Sequence, residues 1–233
     1  MPTEVEELAS QEKSVLRWGG LAGMLGGLVF VLIPVVLFGF VPPAPADPAG
    51  LVARFPDVRA AIAAGGLIAF AAYVLWVAML LALYRALRRT SLAPALLGTA
   101  LTLLGFAVIF AETATQVAFD PISKLYHAPG ATAAEQETLS LVWQGTQGMF
   151  NQLDTSAALL VSVGIVFLGV AMLRAPAFGR GRGGVSVVLG VVAFAAIPLF
   201  GVTSLLTALI VLPIFVILPI LWGRKLYNLS RAA

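Results

Sequence analysis

Long apolar runs separated by short polar segments dominate the pattern along this chain. Six runs are long enough to cross a membrane as helices, because roughly 20 helical residues span the hydrocarbon core. They are too long and too evenly apolar for barrel strands, in which lipid-facing and lumen-facing residues alternate. The pattern therefore predicts an all-α protein, a six-helix transmembrane bundle forming one domain over 1–233. The predicted spans are about 19–41, 62–84, 92–114, 153–173, 184–203 and 204–222.

The basic residues set the predicted topology. Eleven of the fourteen Lys and Arg residues lie at the two termini and in the segments after the second and fourth spans. By the positive-inside rule, these segments and both termini are expected to be cytoplasmic. Segments 42–61 and 115–152 are then outer loops, and most acidic residues fall on their side. The preference for Arg over Lys, with abundant Ala and Gly, suits a GC-rich prokaryotic genome, so we expect the inner (plasma) membrane of such a cell.

Composition supports a membrane protein and removes several kinds of chemistry. Only 11% of residues are charged and 60% are hydrophobic, whereas soluble domains carry about 25% charged residues. No cysteine is present, which excludes disulfides and thiolate chemistry. His127 is the only histidine, so neither a zinc site nor a haem site is predicted. No nucleotide-binding or hydrolase motif occurs, and the dispersed basic residues do not predict nucleic-acid binding.

Span 1 contains Gly19, Gly23 and Gly27, which are spaced by four residues. Small residues at this spacing let two helix backbones approach closely. We favour packing within the bundle as their role, and a seam between two copies in a homo-oligomer is the alternative. Pro34 is expected to bend this span near its outer end.

A polar stripe precedes and enters span 4. Residues on an α-helix advance by about 100° each, so the polar side chains of 140–154 fall on one face if this segment is helical. Asp154 is placed near the outer boundary of the membrane. The stripe consists of Ser140, Trp143, Gln144, Gln147, Asn151 and Asp154.

Span 3 supplies a second carboxylate at similar depth. Glu112 lies about one helical turn from Gln116, and spans 3 and 4 are antiparallel neighbours. Ionisable residues at membrane depth are costly and suggest function, and two close carboxylates can share a proton or bind a cation. The structural alternative is that Asp154 caps a helix start and that Glu112 pairs with Arg54, Arg59, Tyr73 or an amide.

The overall plan resembles a bacterial and archaeal six-span family catalogued as domain of unknown function 4386. The resembling pieces are Arg17-Trp18-Gly19, the segment RALRR after span 2, the inner loop LRAPAFGRGRGG, and the ending LPILWGRKLYNLSR. The resemblance covers nearly the whole chain and is mostly topological. It implies a six-span fold and assigns no catalytic residues.

Three functions remain open from the sequence. The favoured one is binding or transport of a small solute or cation in an outward-facing acidic pocket, without a cofactor or metal. The second is a structural or accessory subunit whose polar stripe packs against a partner or its own outer loops. The third is an enzyme, whose chemistry would rest on Glu112 and Asp154 alone. The predicted pocket residues are Tyr73, Glu112, Gln116, Gln144, Gln147, Asn151 and Asp154.

Overall fold

The protein is entirely helical over the residues that the computed structural model describes, which are 4–43, 45, 47–202 and 204–232. Six helical segments in this part of the chain are long and apolar enough to cross a membrane, which confirms the prediction of a multi-pass membrane protein. The helices are α1 (Glu4–Phe30), α2 (Leu32–Phe40), α3 (Pro48–Leu87), α4 (Leu92–Gln116), α5 (Phe119–Tyr126), α6 (Ala133–Arg174), α7 (Arg180–Phe200) and α8 (Leu205–Ala232).

The predicted first span is divided into two helices. Helix α1 ends at Phe30, and α2 begins at Leu32 after a single turn residue. The last residue of α1, Phe30, lies four residues before Pro34, and a proline ring clashes with the helical carbonyl of residue i−4. Pro34 therefore accounts for the bend that the sequence predicts.

The segments predicted as outer loops are largely helical. Helix α3 starts at Pro48, where the Asp47 side chain accepts a hydrogen bond from the Gly50 amide. Helix α6 starts at Ala133 behind a reciprocal capping box between Thr132 and Glu135. A 42-residue helix is about 63 Å long, roughly twice the hydrocarbon thickness. Both α3 and α6 therefore extend well beyond the membrane.

These extensions form a cap with α5 over one end of the bundle. The cap comprises residues 48–62, α5 and residues 133–150. Asp120 of α5 forms ion pairs with Arg59 (3.0 Å) and Lys124 (2.7 Å), and the Lys124 hydrogen bond holds the pKa of Asp120 below its usual range. The apolar centre of the cap contains Val52, Phe55, Phe119, Ile122 and Trp143.

The six crossing helices form two groups of three. In the first triplet, α1 packs between α3 and α8, and in the second, α6 packs between α4 and α7. We call the boundary between the two triplets the seam. Helices that meet across the seam have much less backbone contact than neighbouring helices within a triplet. Aromatic side chains fill its middle, including Tyr73, Trp76 and Phe215 from the first triplet and Phe106 from the second.

Glycines provide the close approaches inside each triplet. A Cβ on Gly20 would lie 2.7 Å from the backbone of Gly223, and one on Gly98 would lie 2.8 Å from the Gly164 carbonyl. In span 1, Gly19 contacts Ala82 of α3, Gly23 contacts Met79 of α3 and Pro219 of α8, and Gly27 contacts Val216 and Ile220 of α8. This is the intramolecular packing favoured from the sequence, and it leaves these three glycines covered by their own bundle.

The start of α1 and the end of α8 lie at the same end of the bundle. Glu12 pairs there with Arg85 and Arg89 at the α3–α4 turn, each at 3.2 Å. We refer to this as the basic end, and to the opposite end, which carries the cap, as the acidic end. The cytoplasmic location of the basic end stays a prediction from the positive-inside rule.

Candidate functional site

A cavity of about 360 Å³ lies in the seam towards the acidic end. Its walls come from both triplets and from α2. The volume is within the range of small-molecule sites, which hold mostly apolar walls and a few polar groups. The walls include Phe30, Ile33, Leu37, Ile109, Val211, Leu212 and Phe215.

Asp154 is the one charged side chain among the described residues that line this cavity. It is partly buried and projects from the middle of α6, more than five turns from the helix start at Ala133. The alternative that Asp154 caps a helix start is therefore wrong, since Thr132 has that role. None of the four ion pairs between described side chains involves Asp154.

Tyr73 of α3 faces the same cavity. Its side chain is 9% exposed and packs against other aromatic rings. The centroid of its ring lies 6.1 Å from those of both Phe30 and Phe215. Buried tyrosine hydroxyls usually find a partner, so this hydroxyl is suited to a polar group of a ligand.

Glu112 lies behind the cavity wall, in the region where α4 packs on α6. Its side chain is 7% exposed, and the Asp154 charge is near enough to act on both Glu112 and Tyr73. The structural alternative paired Glu112 with Arg54, Arg59, Tyr73 or an amide, and the two arginines have other partners. Arg59 instead pairs with Asp120, and Arg54 donates to the carbonyls of Pro42 and Pro43 at 2.8 Å.

The remaining predicted residues lie apart from the cavity walls. Gln116 approaches Gly66 of α3. Gln147 donates a 3.0 Å hydrogen bond to Asn151 one turn further along α6. Gln144 is exposed and lines a separate groove on the cap. The structure thus brings Tyr73, Asp154 and Glu112 together and leaves the four amides outside this group.

The beginning of the polar stripe belongs to the cap. Trp143 is 5% exposed, and its ring centroid lies 4.4 Å from that of Phe119 and 5.1 Å from that of Phe55. Ser140 is also buried and donates to the Gln136 carbonyl. This half of the stripe packs within the cap.

No protein-family model, curated protein or solved structure matches this chain. The resemblance to the six-span family of unknown function stays a prediction. What the site can do follows from its chemistry: the Asp154 carboxylate, the hydroxyls of Tyr73 and Thr207, and aromatic rings in an otherwise apolar chamber.

Sequence reasoning missed the apolar walls of this chamber. Phe30 and Phe215 stack with their centroids 5.2 Å apart, and Thr207 of α8, 1% exposed, also lines the cavity. An apolar side chain that faces a cavity has the same sequence signature as one that faces lipid. Pro34 offered the available signal, because it accompanies the break between α1 and α2 and itself lines the cavity.

Proposed function

We propose that this protein binds or transports a small organic cation with an apolar body, which occupies the seam cavity from the outer side of the membrane. The observation that carries this proposal is Asp154, a carboxylate set in a chamber of about 360 Å³ whose other walls are mainly apolar. A charge in such surroundings is stabilised by an opposite charge, because the low dielectric strengthens their attraction.

The rest of the chamber suits an organic ammonium better than a metal ion. Within the described part of the chain, no group of three or more His, Cys, Asp or Glu side chains could hold a metal. Ammonium groups bind over aromatic faces by cation–π attraction, and Phe30, Tyr73 and Phe215 supply such faces. The Tyr73 hydroxyl can accept a hydrogen bond from a primary ammonium.

The proposal is tested by thermal stability of the purified protein in detergent with benzylammonium, phenyltrimethylammonium, neutral benzyl alcohol, Na⁺ and K⁺. A ligand at 100 times its Kd stabilises the native state by about 2.7 kcal/mol, which raises the melting temperature by roughly 5–10 °C for a chain of this size. We expect this shift with the two organic cations and not with benzyl alcohol or the metal ions.

Variants identify the site. Asp154→Asn should lose the shift with both organic cations, because it removes the opposing charge. Tyr73→Phe should weaken the response to benzylammonium alone, because the quaternary ion has no N–H to donate. Glu137→Gln is the matched control, since Glu137 is an exposed acid in the cap portion of the same helix. Wild-type protein that responds to none of these cations would refute the proposal.

A further inference from the structure

A second groove joins the seam cavity between α2 and α8, and we call it the side groove. It has a volume of about 210 Å³ and shares Pro34, Leu209 and Leu212 with the seam cavity. All the residues that line it are apolar, and the others are Val31, Pro213, Val216 and Ile217. The cavity that contains Asp154 therefore continues into an apolar groove on the outside of the bundle.

The side groove opens where two packed helices separate. At Gly27, α1 lies directly against α8, since a Cβ on this glycine would be 2.9 Å from the Val216 carbonyl oxygen. Helix α1 ends shortly afterwards, at Phe30. Over the described lengths of α2 and α8, no Cα atom of one helix lies within 8 Å of a Cα atom of the other. The break near Pro34 thus leaves a gap between α2 and α8 that the backbone does not close.

This gap faces the hydrocarbon of the bilayer. It lies between two of the segments that are long and apolar enough to cross a membrane, Ser10–Leu37 and Leu205–Ala232. Val31, Leu209 and Ile217 are each more than a third exposed. In a membrane, exposed apolar side chains of such segments meet lipid tails and not water. A molecule in the seam cavity therefore has access to the bilayer through the side groove.

The direction of the side groove matches the orientation of an amphiphile in the membrane. Helix α8 starts at Leu205 at the acidic end, and its residues line the side groove from Leu209 to Ile217. Eight helical residues advance by about 12 Å, so the groove descends by this length from the seam cavity towards the middle of the membrane. A ligand with its charged group at Asp154 would point its tail inwards, as the lipids of that leaflet do.

We propose that the ligand of the seam cavity is an amphiphilic ammonium, whose charged group lies at Asp154 and whose alkyl chain extends along the side groove into the bilayer. This inference rests on the proposed function and adds to it the class of the ligand. A body enclosed by the seam cavity must fit about 360 Å³, whereas a chain in the side groove meets no wall at its far end. Affinity should therefore keep rising with chain length, because each methylene that leaves water for an apolar environment is stabilised.

The test is displacement of radiolabelled phenyltrimethylammonium from the protein in lipid nanodiscs by butyl-, hexyl- and octyltrimethylammonium. A competitor that only dissolves in the bilayer does not displace the label from the seam cavity. We expect the wild-type Kd, referred to the free aqueous concentration, to fall by up to about fourfold for each added methylene. From the butyl to the octyl compound the fall would reach up to roughly two hundredfold.

Two substitutions fill the side groove from opposite walls. Ile217→Trp and Val31→Trp enlarge residues that line the side groove and not the seam cavity. The Kd of phenyltrimethylammonium should be unchanged in both, while the gain from hexyl to octyl is lost. Leu206→Trp is the matched control, because Leu206 lies on the same helix as Ile217, has the same exposure of 48% and lines neither space. It should keep the wild-type dependence on chain length.

An octyl compound that displaces the label no better than the butyl compound would overturn the inference, assign the side groove to the chain of an ordinary membrane lipid and leave the proposed function intact. Retention of the full gain in the tryptophan variants would also overturn the inference alone. A wild type that does not bind phenyltrimethylammonium would overturn both. Either tryptophan variant is sufficient if the other does not fold.

Discussion

The crossing of α4 and α6 at Gly98 allows a direct mutational test of the packing. In Gly98→Ala, the added methyl would lie 2.7 Å from the Leu168 amide nitrogen and 2.8 Å from the Gly164 carbonyl oxygen. Ordinary contact begins at 3.4 Å, so the two helices must separate locally by about 0.7 Å. Both neighbouring atoms belong to the backbone, and no side-chain rotation can relieve the contact.

The size of the effect follows from two opposing contributions. Overpacking a close interface costs about 1–3 kcal/mol, and Ala gains at most about 1 kcal/mol over Gly in helix propensity. The net expected loss is up to about 2 kcal/mol. At roughly 2–4 °C per kcal/mol, Gly98→Ala should lower the melting temperature by up to about 8 °C.

The measurement is thermal unfolding in detergent, with Gly184→Ala as the matched control. Gly184 lies inside α7, and no atom of the surrounding structure is within 4 Å of its added Cβ. Gly184→Ala should therefore keep or raise the melting temperature. If Gly98→Ala melted as high as Gly184→Ala, the close backbone approach of α4 and α6 would be refuted.

Two further predictions concern hydrogen bonds at opposite ends of the molecule. Ser186→Ala should destabilise the protein by about 1–2 kcal/mol, because it removes the buried acceptor of Trp222 Nε1 at 3.2 Å. Ser156→Ala, which removes a half-buried hydroxyl and with it only a solvent-exposed bond to the Gln152 carbonyl one turn back, should change the melting temperature little. In the cap, the Lys124 hydrogen bond lowers the pKa of Asp120 below its ordinary 3.8. The ionised Asp120 therefore stabilises the folded cap fully above pH 3.8, and this stabilisation is lost as the pH falls through the lower pKa that Asp120 has in the folded protein. The protection factors of the α5 amides, which are exchange rates corrected for the intrinsic chemical rate at each pH, should therefore fall in strong acid in the wild type, and Asp120→Asn should lack this fall.

The membrane-spanning part of the fold was predictable because lipid imposes one strong requirement, a long apolar helix. The extent of the helices outside the membrane was harder to predict. The capping box of Thr132 and Glu135 is visible in the sequence, but residues 133–150 contain glycines and polar side chains typical of loops. This segment is helical in the structure, where Trp143 packs against Phe55 and Phe119 from two other helices. A contact with other helices leaves no pattern in the sequence of the segment itself.

The candidate site was only partly predictable for a related reason. The stripe on α6 correctly places Gln144, Gln147, Asn151 and Asp154 near one face, but a helix also separates them along its axis. Gln144 and Asp154 are ten residues apart, about 15 Å, so they cannot both line one small chamber. Neighbouring helices select the position that reaches the seam, and that position is Asp154.

Packing differs between the triplets and the seam in a way that bears on function. Among the described glycines, the approaches under 3 Å between crossing helices, such as those at Gly20 and Gly98, all lie within a triplet. The seam is filled by side chains such as Phe106 and Phe215, and the cavity opens where this filling ends. Backbone contacts resist any change in helix separation, whereas aromatic side chains can change rotamer. A ligand that enters the seam therefore needs to move side chains and not helices inside a triplet, and Asp154 lines the cavity where it would enter.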